Sequence, residues 1–257
     1  MFTKDFTYEP ESRTAYCRAE KLMGTRMEIL LTDIEKRAAE LIFETLIGEI
    51  ASADALLNRF DPSSEVSRLN SALATCQNPA FSGQFRSPEL KEWCRLAEYY
   101  CSKTEGIFDV RYGGGYDFGG LAKGAALAKA ALTLRDRGIH DALLNFGGSS
   151  IAGLGRHPYG DAWTVDVPDP FSGRTLCTVR LCDSALSVSG NTPGYGGHIT
   201  DTRSGEAVLA RRVVVVTAPD AADAEVLSTA LMAAPPVRRT SLLAEFPGAE
   251  AQFFDNL

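Results

Sequence analysis

The chain has 257 residues, 45% of them hydrophobic and 23% charged, and its formal net charge is −7 at pH 7. This composition is ordinary for a folded soluble protein, and the length suits a single domain over residues 1–257, which two closely packed α+β subdomains can also fill. The negative charge argues against a nucleic-acid-binding surface, which needs clustered lysine and arginine. No apolar run reaches the roughly 18 to 20 residues of a membrane-spanning helix. Because the N-terminus also lacks the features of a signal peptide, we expect a cytoplasmic protein without membrane insertion.

The first half of the chain predicts one strand and a series of helices. Apolar side chains alternate over residues 19–31, which indicates a strand with one buried face that Gly24 interrupts. Apolar residues then recur every three and four positions and predict an amphipathic helix of about 24 residues, for which Asp33 is a candidate cap. After a short helix, Ser87-Pro88 begins another, with a capping serine and proline at the first helical position.

The stretch over residues 106–124, GIFDVRYGGGYDFGGLAKG, is the most unusual part of the sequence. It contains a run of glycines and two carboxylates, Asp109 and Asp117, and it places Lys123 in an alanine-rich helical pattern over residues 121–134. Unpaired N–H groups and the dipole at a helix N-terminus favour an anion, and glycine lets the chain approach a phosphate closely. The stretch therefore indicates either a phosphate-binding loop or a tight turn in which glycine supplies a positive φ.

The second half of the chain is rich in predicted strands separated by glycine, proline and aspartate. Strands are predicted over residues 141–146, 163–167, 176–181, 185–189, 211–218 and 249–254, and helices from 220 and over 237–245. The strands read mostly as hairpins and do not alternate with helices in βα units. The predicted fold class is therefore α+β, with mixed helices and mainly antiparallel sheets.

Two further groups of polar residues are candidates for chemistry. His198 lies in a glycine-flanked stretch three residues before Asp201, and a histidine beside a carboxylate can act as general base or acid. In a loop it can equally be a polar surface residue. Glu225 and Thr229 share a helix face, where a carboxylate and a hydroxyl can hold a hard cation. The same spacing also suits a solvated glutamate and a threonine bonded to its own helix, so both alternatives stay open.

In combination, these motifs resemble the ApbE family, the FAD:protein FMN transferases. The motifs that carry the resemblance cover nearly the whole chain, and in order they are MGT, FDPSSEVSRLN, GIFDV, DFGGLAKG, LNFGG, SG followed by HITD, and AEVLSTAL. The resemblance implies an ApbE-like architecture related to the T-fold and an enzyme that uses FAD as substrate together with Mg²⁺. Such an enzyme transfers FMN to a Thr or Ser hydroxyl of an acceptor flavoprotein and releases AMP.

The resemblance also implies roles for individual residues. The metal ligands would be the backbone carbonyl of Gly120 and the side chains of Glu225 and Thr229. His198 would be the catalytic base that deprotonates the acceptor hydroxyl. The residues implied to contact the dinucleotide are Met23, Phe60, Ile107, Phe108, Asp109, Asp117, Lys123 and Ile199.

Several positions depart from the family pattern. Glu225 stands where the family usually has an aspartate, and Mg²⁺ demands near-ideal octahedral geometry. The family's acid shortly after the lysine is missing, its TSG has become residues 188–190, VSG, and its HIIDP has lost the proline at Thr202. Only RYGGGY separates FDV from DFGG, where the family has several tens of residues. This shortening removes part of the wall of the flavin pocket.

Three functions are consistent with these residues. The first is Mg²⁺-dependent transfer of FMN from FAD to a protein. The second is a paralogue that binds FAD or another nucleotide without transferring it. The third is a weak FAD pyrophosphatase in which water replaces the acceptor hydroxyl. Release of AMP and labelling of a protein with FMN would separate them.

Overall fold

The structure, a computed structural model, describes residues 3–75, 87–193, 197 and 199–255. The strands are β1 (Thr3–Glu9), β2 (Thr14–Leu22), β3 (Thr25–Leu31), β4 (Arg111–Tyr112), β5 (Gly115–Tyr116), β6 (Ala142–Phe146), β7 (Ser150–Leu154), β8 (Trp163–Pro168), β9 (Thr175–Leu181), β10 (Ser184–Gly190), β11 (Arg212–Ala218) and β12 (Glu250–Asp255). The helices are α1 (Lys36–Leu57), α2 (Glu65–Thr75), α3 (Pro88–Lys103), α4 (Ala122–Asp136), α5 (Ala221–Ala233) and α6 (Pro236–Ala244). Among the described residues, no helix is both long and apolar enough to cross a membrane.

One eight-stranded sheet forms the centre of the fold. Its strand order is β1-β2-β3-β6-β7-β10-β11-β12, and every neighbouring pair is antiparallel. Two short antiparallel pairs, β4-β5 and β8-β9, lie outside it. The mixture of helices with antiparallel sheets confirms the predicted α+β class.

The central sheet separates two apolar cores. Alternate residues of its strands face the larger core, which helices α1 to α5 complete on one side of the sheet. The β8-β9 hairpin covers the other side over β7, β10 and β11, where Trp163 is its largest fully buried side chain. Strand β7 shows the division clearly, because Ile151 belongs to the smaller core and its neighbour Ala152 to the larger one. A strand that is covered on both faces has no solvent-exposed side.

Two predictions near the N-terminus were wrong in detail. The alternating pattern over residues 19–31 belongs to two strands, β2 and β3, joined by a tight turn in which Met23 and Gly24 both have positive φ, 44° and 75°. Asp33 does not cap α1, because its own φ is 50° and the N-cap residue is Glu35, which makes no side-chain capping bond. The sequence pattern does not reveal the hairpin, because the apolar residues of both strands follow one alternation with a single buried face.

The predicted cap of α3 is confirmed, since Ser87 Oγ accepts a hydrogen bond from the Leu90 N–H at 3.1 Å. Asp220, where a helix start was expected, caps α5 by accepting from the N–H groups of Ala222 and Asp223 at 2.8 and 3.1 Å. Nearly every residue of helix α5 is buried, which is typical of a helix at the centre of a core.

Helices α4 and α5 are in close contact at Gly124. A Cβ atom at this position would lie 2.5 Å from the Ala221 carbonyl oxygen and would also overlap Glu225 Cβ. Backbone of a buried helix has no room to move, so only glycine fits here. This contact fixes the glycine-rich start of α4 against the polar side chains of α5.

We expect the Gly124→Ala substitution to lower the free energy of unfolding by about 2 to 3 kcal/mol, because the added methyl group overpacks the helix contact. The matched control is Gly48→Ala in α1, where an added Cβ has no atom within 4 Å. That substitution should raise stability by up to about 1 kcal/mol, as alanine is the better helix former. Urea unfolding of both variants checks the prediction, and equal effects at the two sites would contradict it.

Candidate active site

The glycine loop, which we define as residues 117–121, joins β5 to α4. The loop is tightly turned: the Gly119 N–H donates to Asp117 Oδ1 at 2.8 Å, and the N–H groups of Leu121 and Ala122 donate to the Phe118 carbonyl at 2.9 and 2.8 Å. Helix α4 begins directly after Leu121 and has no side-chain cap. Because no side chain caps the N-terminus of α4, the positive end of the helix dipole there can attract an anion.

Lys123, in the first turn of α4, forms an ion pair with Glu225 of α5. Its Nζ lies 2.6 Å from Glu225 Oε1 and 3.4 Å from the Gly119 carbonyl oxygen. The carboxylate is the more buried partner, since 6% of the Glu225 side chain is exposed against 21% of the Lys123 side chain. This burial excludes the solvated glutamate that the sequence left open.

The other carboxylate oxygen of Glu225 is held by two buried serines. Ser150 of β7 donates to Oε2 at 2.5 Å, and Ser187 of β10 donates to the same atom at 3.1 Å. Hydrogen bonds of 2.9 and 2.8 Å then run from Ser187 through Ser228 to Ser189. We call these four residues the serine cluster. It places hydroxyl donors of the sheet along the polar side of α5 and fixes the direction of the carboxylate.

Gly120 and Thr229 also meet at this point. A Cβ atom built on Gly120 would lie 3.3 Å from Thr229 Oγ1 and 3.1 Å from the Phe108 ring, so the loop backbone packs directly on both. Thr229 Oγ1 donates to the Glu225 carbonyl oxygen at 3.1 Å. The threonine is therefore bonded to its own helix, and its hydroxyl oxygen also lies 3.4 Å from Ser189 Oγ. The structure thus brings together the three residues that the resemblance implies as metal ligands.

To a bound cation, these three residues would offer a carboxylate, a hydroxyl and a backbone carbonyl. All three are oxygen donors, the type that Mg²⁺ and other hard cations prefer. In the described part of the chain, no group of three or more His, Cys, Asp and Glu side chains is placed to hold a metal. The chemistry of the set fits a hard divalent cation, and the Lys123 ammonium is the cation that contacts the carboxylate in this structure.

Asp117 connects the glycine loop to the exposed aromatic ring of Phe60. Besides its bond to Gly119, its carboxylate accepts from the Tyr112 hydroxyl at 2.9 Å and pairs with Arg59 Nε at 3.3 Å. Burial and the Asp117 charge raise the pKa of Tyr112 to about 12, so Tyr112 remains a donor at neutral pH. The Arg59 guanidinium lies 4.7 Å from the centre of the Phe60 ring, and Phe60 itself is 79% exposed.

Asp109 is held by its own local partner. Arg111 donates to Asp109 Oδ1 through Nε at 3.1 Å and to Oδ2 at 3.3 Å, and this hydrogen bonding raises the pKa of the guanidinium. The preceding residues, Ile107 and Phe108, are buried in the larger core. Thr202 Oγ1 donates to the Gly106 and Ile107 carbonyls at 2.7 and 3.2 Å, which ties the GIFDV segment to the loop after β10.

Met23 and Ile199 are the remaining residues predicted to contact the dinucleotide, and both belong to or pack against the larger core. Met23 is half-buried against the larger core, and its N–H donates to Asp54 Oδ2 at 3.0 Å. Ile199 is buried in the same core, and its carbonyl accepts from the Val208 N–H at 2.8 Å.

His198 lies outside the described residues. The neighbouring carboxylate that was expected to orient it, Asp201, is described and is bonded by Arg203 through Nε at 3.0 Å and NH2 at 2.9 Å. These hydrogen bonds lower the pKa of Asp201. Both oxygens of this carboxylate therefore already have a cationic partner.

The profile of the ApbE family matches residues 23–116 and 113–253, which together cover most of the chain. The chain belongs to the ApbE family. A FAD:protein FMN transferase of Rhodobacter capsulatus is 37% identical to it in an alignment 126 residues long, and the match covers 46% of this chain and 24% of that relative. The matched region thus spans about a quarter of the length of the curated relative.

Solved ApbE structures share the fold. Flavin transferase ApbE from Vibrio cholerae has a TM-score of 0.74 at 17% identity, over 100% of this chain and 95% of that chain. Flavinyl transferase ApbE of Pseudomonas stutzeri in its apo form has a TM-score of 0.74 at 19% identity, over 99% and 92% of the two chains. At these identities the likeness establishes the ApbE fold.

Sequence reasoning missed several residues that hold the candidate site in place. Ser150 and Ser187 bind the Glu225 carboxylate, Arg59 pairs with Asp117, and the Asn70 side chain bonds both the N–H and the carbonyl of Tyr116 at 2.7 and 2.9 Å. Arg59 and Asn70 flank or end the FDPSSEVSRLN motif, so their place was visible. The serines carry no local signal, because serine is common in strands and loops and only the fold shows what it faces.

Proposed function

We propose that this chain is a Mg²⁺-dependent FAD:protein FMN transferase that moves FMN from FAD to a Thr or Ser hydroxyl of an acceptor flavoprotein and releases AMP. The name of the Rhodobacter capsulatus relative supports the reaction class. The observation that carries the proposal is the meeting of Gly120, Lys123, Glu225 and Thr229 where the glycine loop contacts α5. An anion site and a hard-cation site adjoin there, as cleavage of a pyrophosphate requires.

In the proposed reaction, the acceptor oxygen attacks the phosphorus of the FMN half of FAD. The bond from that phosphorus to the bridging oxygen breaks, and its electron pair leaves with AMP. His198 accepts the proton of the attacking hydroxyl. Lys123 and the first turn of α4 hold the pyrophosphate. Bound Mg²⁺, with ligands from Gly120, Glu225 and Thr229, would neutralise charge on the phosphoryl oxygens.

The dinucleotide contacts are part of the same proposal. Phe60 offers a largely exposed ring to the flavin, and the Arg59 guanidinium supports its position. Asp117, fixed by Arg59 and Tyr112, contacts the dinucleotide beside the glycine loop. The other contact residues we propose are Met23, Ile107, Phe108, Asp109 and Ile199.

The test is to incubate the purified chain with FAD and Mg²⁺, with and without an extract of the cells that make it. We expect AMP in the chromatogram and a protein band that keeps flavin fluorescence after denaturation, and we expect EDTA to abolish both. AMP with free FMN and no labelled protein would show a pyrophosphatase. Tight FAD binding without AMP under any of these conditions would show a binding protein and would overturn the proposed transfer.

A further inference from the structure

The Lys123 ammonium and a bound divalent cation would compete for the same buried carboxylate, that of Glu225. The Glu225 carboxylate is bonded by the Lys123 ammonium, and the same carboxylate would be a ligand of the divalent cation. Two positive charges that share one carboxylate repel each other, and the repulsion is strong where water is excluded. The cation and Lys123 therefore oppose each other as long as Lys123 keeps this position.

We propose that Lys123 is an exchangeable counter-ion that makes cation binding depend on the dinucleotide. In the free protein Lys123 neutralises Glu225 and excludes the divalent cation. The pyrophosphate of a bound dinucleotide draws the ammonium toward the glycine loop, and the carboxylate becomes available as a cation ligand. The identity of the dinucleotide rests on the proposed function, whereas the competition for Glu225 does not.

The two partners differ in their freedom to move. Glu225 is fixed, because Ser150 and Ser187 hold its second oxygen and only 6% of its side chain is exposed. Lys123 is more exposed, and its Nζ already lies 3.4 Å from the carbonyl of the exposed Gly119. A lysine carries a compact charge on a flexible stem, so it can change partners by rotation of its own side chain.

The serine cluster keeps the carboxylate in place when its counter-ion leaves. Hydrogen bonds to the charged form of a carboxylate favour that form, and they replace part of the hydration lost by burial. Ser150 and Ser187 are therefore positioning residues for Glu225. They also suit a glutamate in place of the aspartate that the family usually has, because the longer side chain reaches from α5 to strands β7 and β10 of the sheet.

The experiment uses Mn²⁺, which prefers the same oxygen ligands as Mg²⁺. Its binding is measured by the decrease in the electron paramagnetic resonance signal of free Mn²⁺. We expect Lys123→Gln to bind Mn²⁺ at least about tenfold more tightly than the wild type in the absence of nucleotide, because one positive charge near the site is gone. Adding FAD should tighten Mn²⁺ binding to the wild type by a larger factor than to the variant, because only in the wild type does the dinucleotide also draw the Lys123 ammonium away from Glu225. Binding of Mn²⁺ to FAD alone is measured separately and subtracted.

Two variants serve as controls. Lys129→Gln removes a charge from the same helix, where Lys129 Nζ lies 3.6 Å from the partly exposed Glu49, and it should leave Mn²⁺ affinity unchanged. Lys123→Arg keeps the charge and should keep the weak binding of the wild type. Equal or weaker Mn²⁺ binding by Lys123→Gln would overturn the proposal, and so would tight binding that survives when Glu225→Gln is added to it.

These outcomes are separate from those of the proposed function. If Lys123→Gln gains Mn²⁺ affinity but the wild type never releases AMP from FAD, the counter-ion exchange stands and the transfer is wrong. If AMP is released but the variant gains no affinity, the transfer stands and the exchange is wrong. Urea unfolding of each variant confirms that the compared proteins are folded.

Discussion

The Glu225→Gln substitution is expected to lower Mg²⁺-stimulated release of AMP by at least about 10²-fold while the fold survives. Loss of one preorganised charge next to a reacting phosphate typically has an effect of this size. The amide is nearly isosteric with the carboxylate, and its oxygen can still accept from Ser150 and Ser187. Lys123 loses its partner but is partly exposed, so its ammonium can turn to water. The rate of AMP release against Mg²⁺ concentration gives the answer.

Glu49→Gln is the matched control for this substitution. Glu49 also pairs with a lysine of α4, Lys129, but on an exposed part of the helix. Its replacement should leave the rate within about twofold of the wild type, as surface ion pairs contribute little. Full Mg²⁺ stimulation in the Glu225→Gln protein would show that Glu225 only joins α5 to α4 and the sheet.

The His198→Ala substitution is expected to reduce transfer by about 10²- to 10⁴-fold, the usual contribution of a positioned general base. FAD affinity should change far less, because the base acts on the acceptor hydroxyl. The wild-type rate should rise with pH through the imidazole pKa, ordinarily about 6.5, because only neutral imidazole accepts a proton. Single-turnover rates between pH 5.5 and 8, measured beside FAD titrations, check both statements.

His140→Ala is the control for the loss of an imidazole, since His140 is exposed and precedes β6. It should leave the rate and its pH dependence as they are. A flat pH profile together with an intact rate for His198→Ala would remove His198 from the chemistry. Parallel losses of thermal stability and FAD affinity would instead mark it as a structural residue.

Helices with capping residues and strands with one buried face were predictable from the sequence. Their signals are local, as at Ser87 and Asp220, where a short polar side chain meets the free N–H groups of the next turn. Strands β1 and β7 were not predicted. Almost all of β1 is exposed and all of β7 is buried, so neither shows the alternation that marks a half-buried strand.

The candidate site was predictable only in part, for the same reason. The spacing of Glu225 and Thr229 predicted that both lie on one helix face, and the glycine loop predicted the start of α4. The sequence gave no sign that Lys123 would bond Glu225, because 102 residues separate them. Nor did it indicate Ser150, which is 75 residues from the carboxylate that it holds.

By itself, the sequence determined the residue types and the local geometry of this protein: the turns, the capped helices and the order of the ApbE motifs. These depend on interactions between residues a few positions apart. Only the tertiary structure decided which groups bind the Glu225 carboxylate, because strands β7 and β10 supply its hydroxyl donors and α4 supplies its cation. Burial excludes water from that carboxylate, so its partners must come from elements that folding alone brings together.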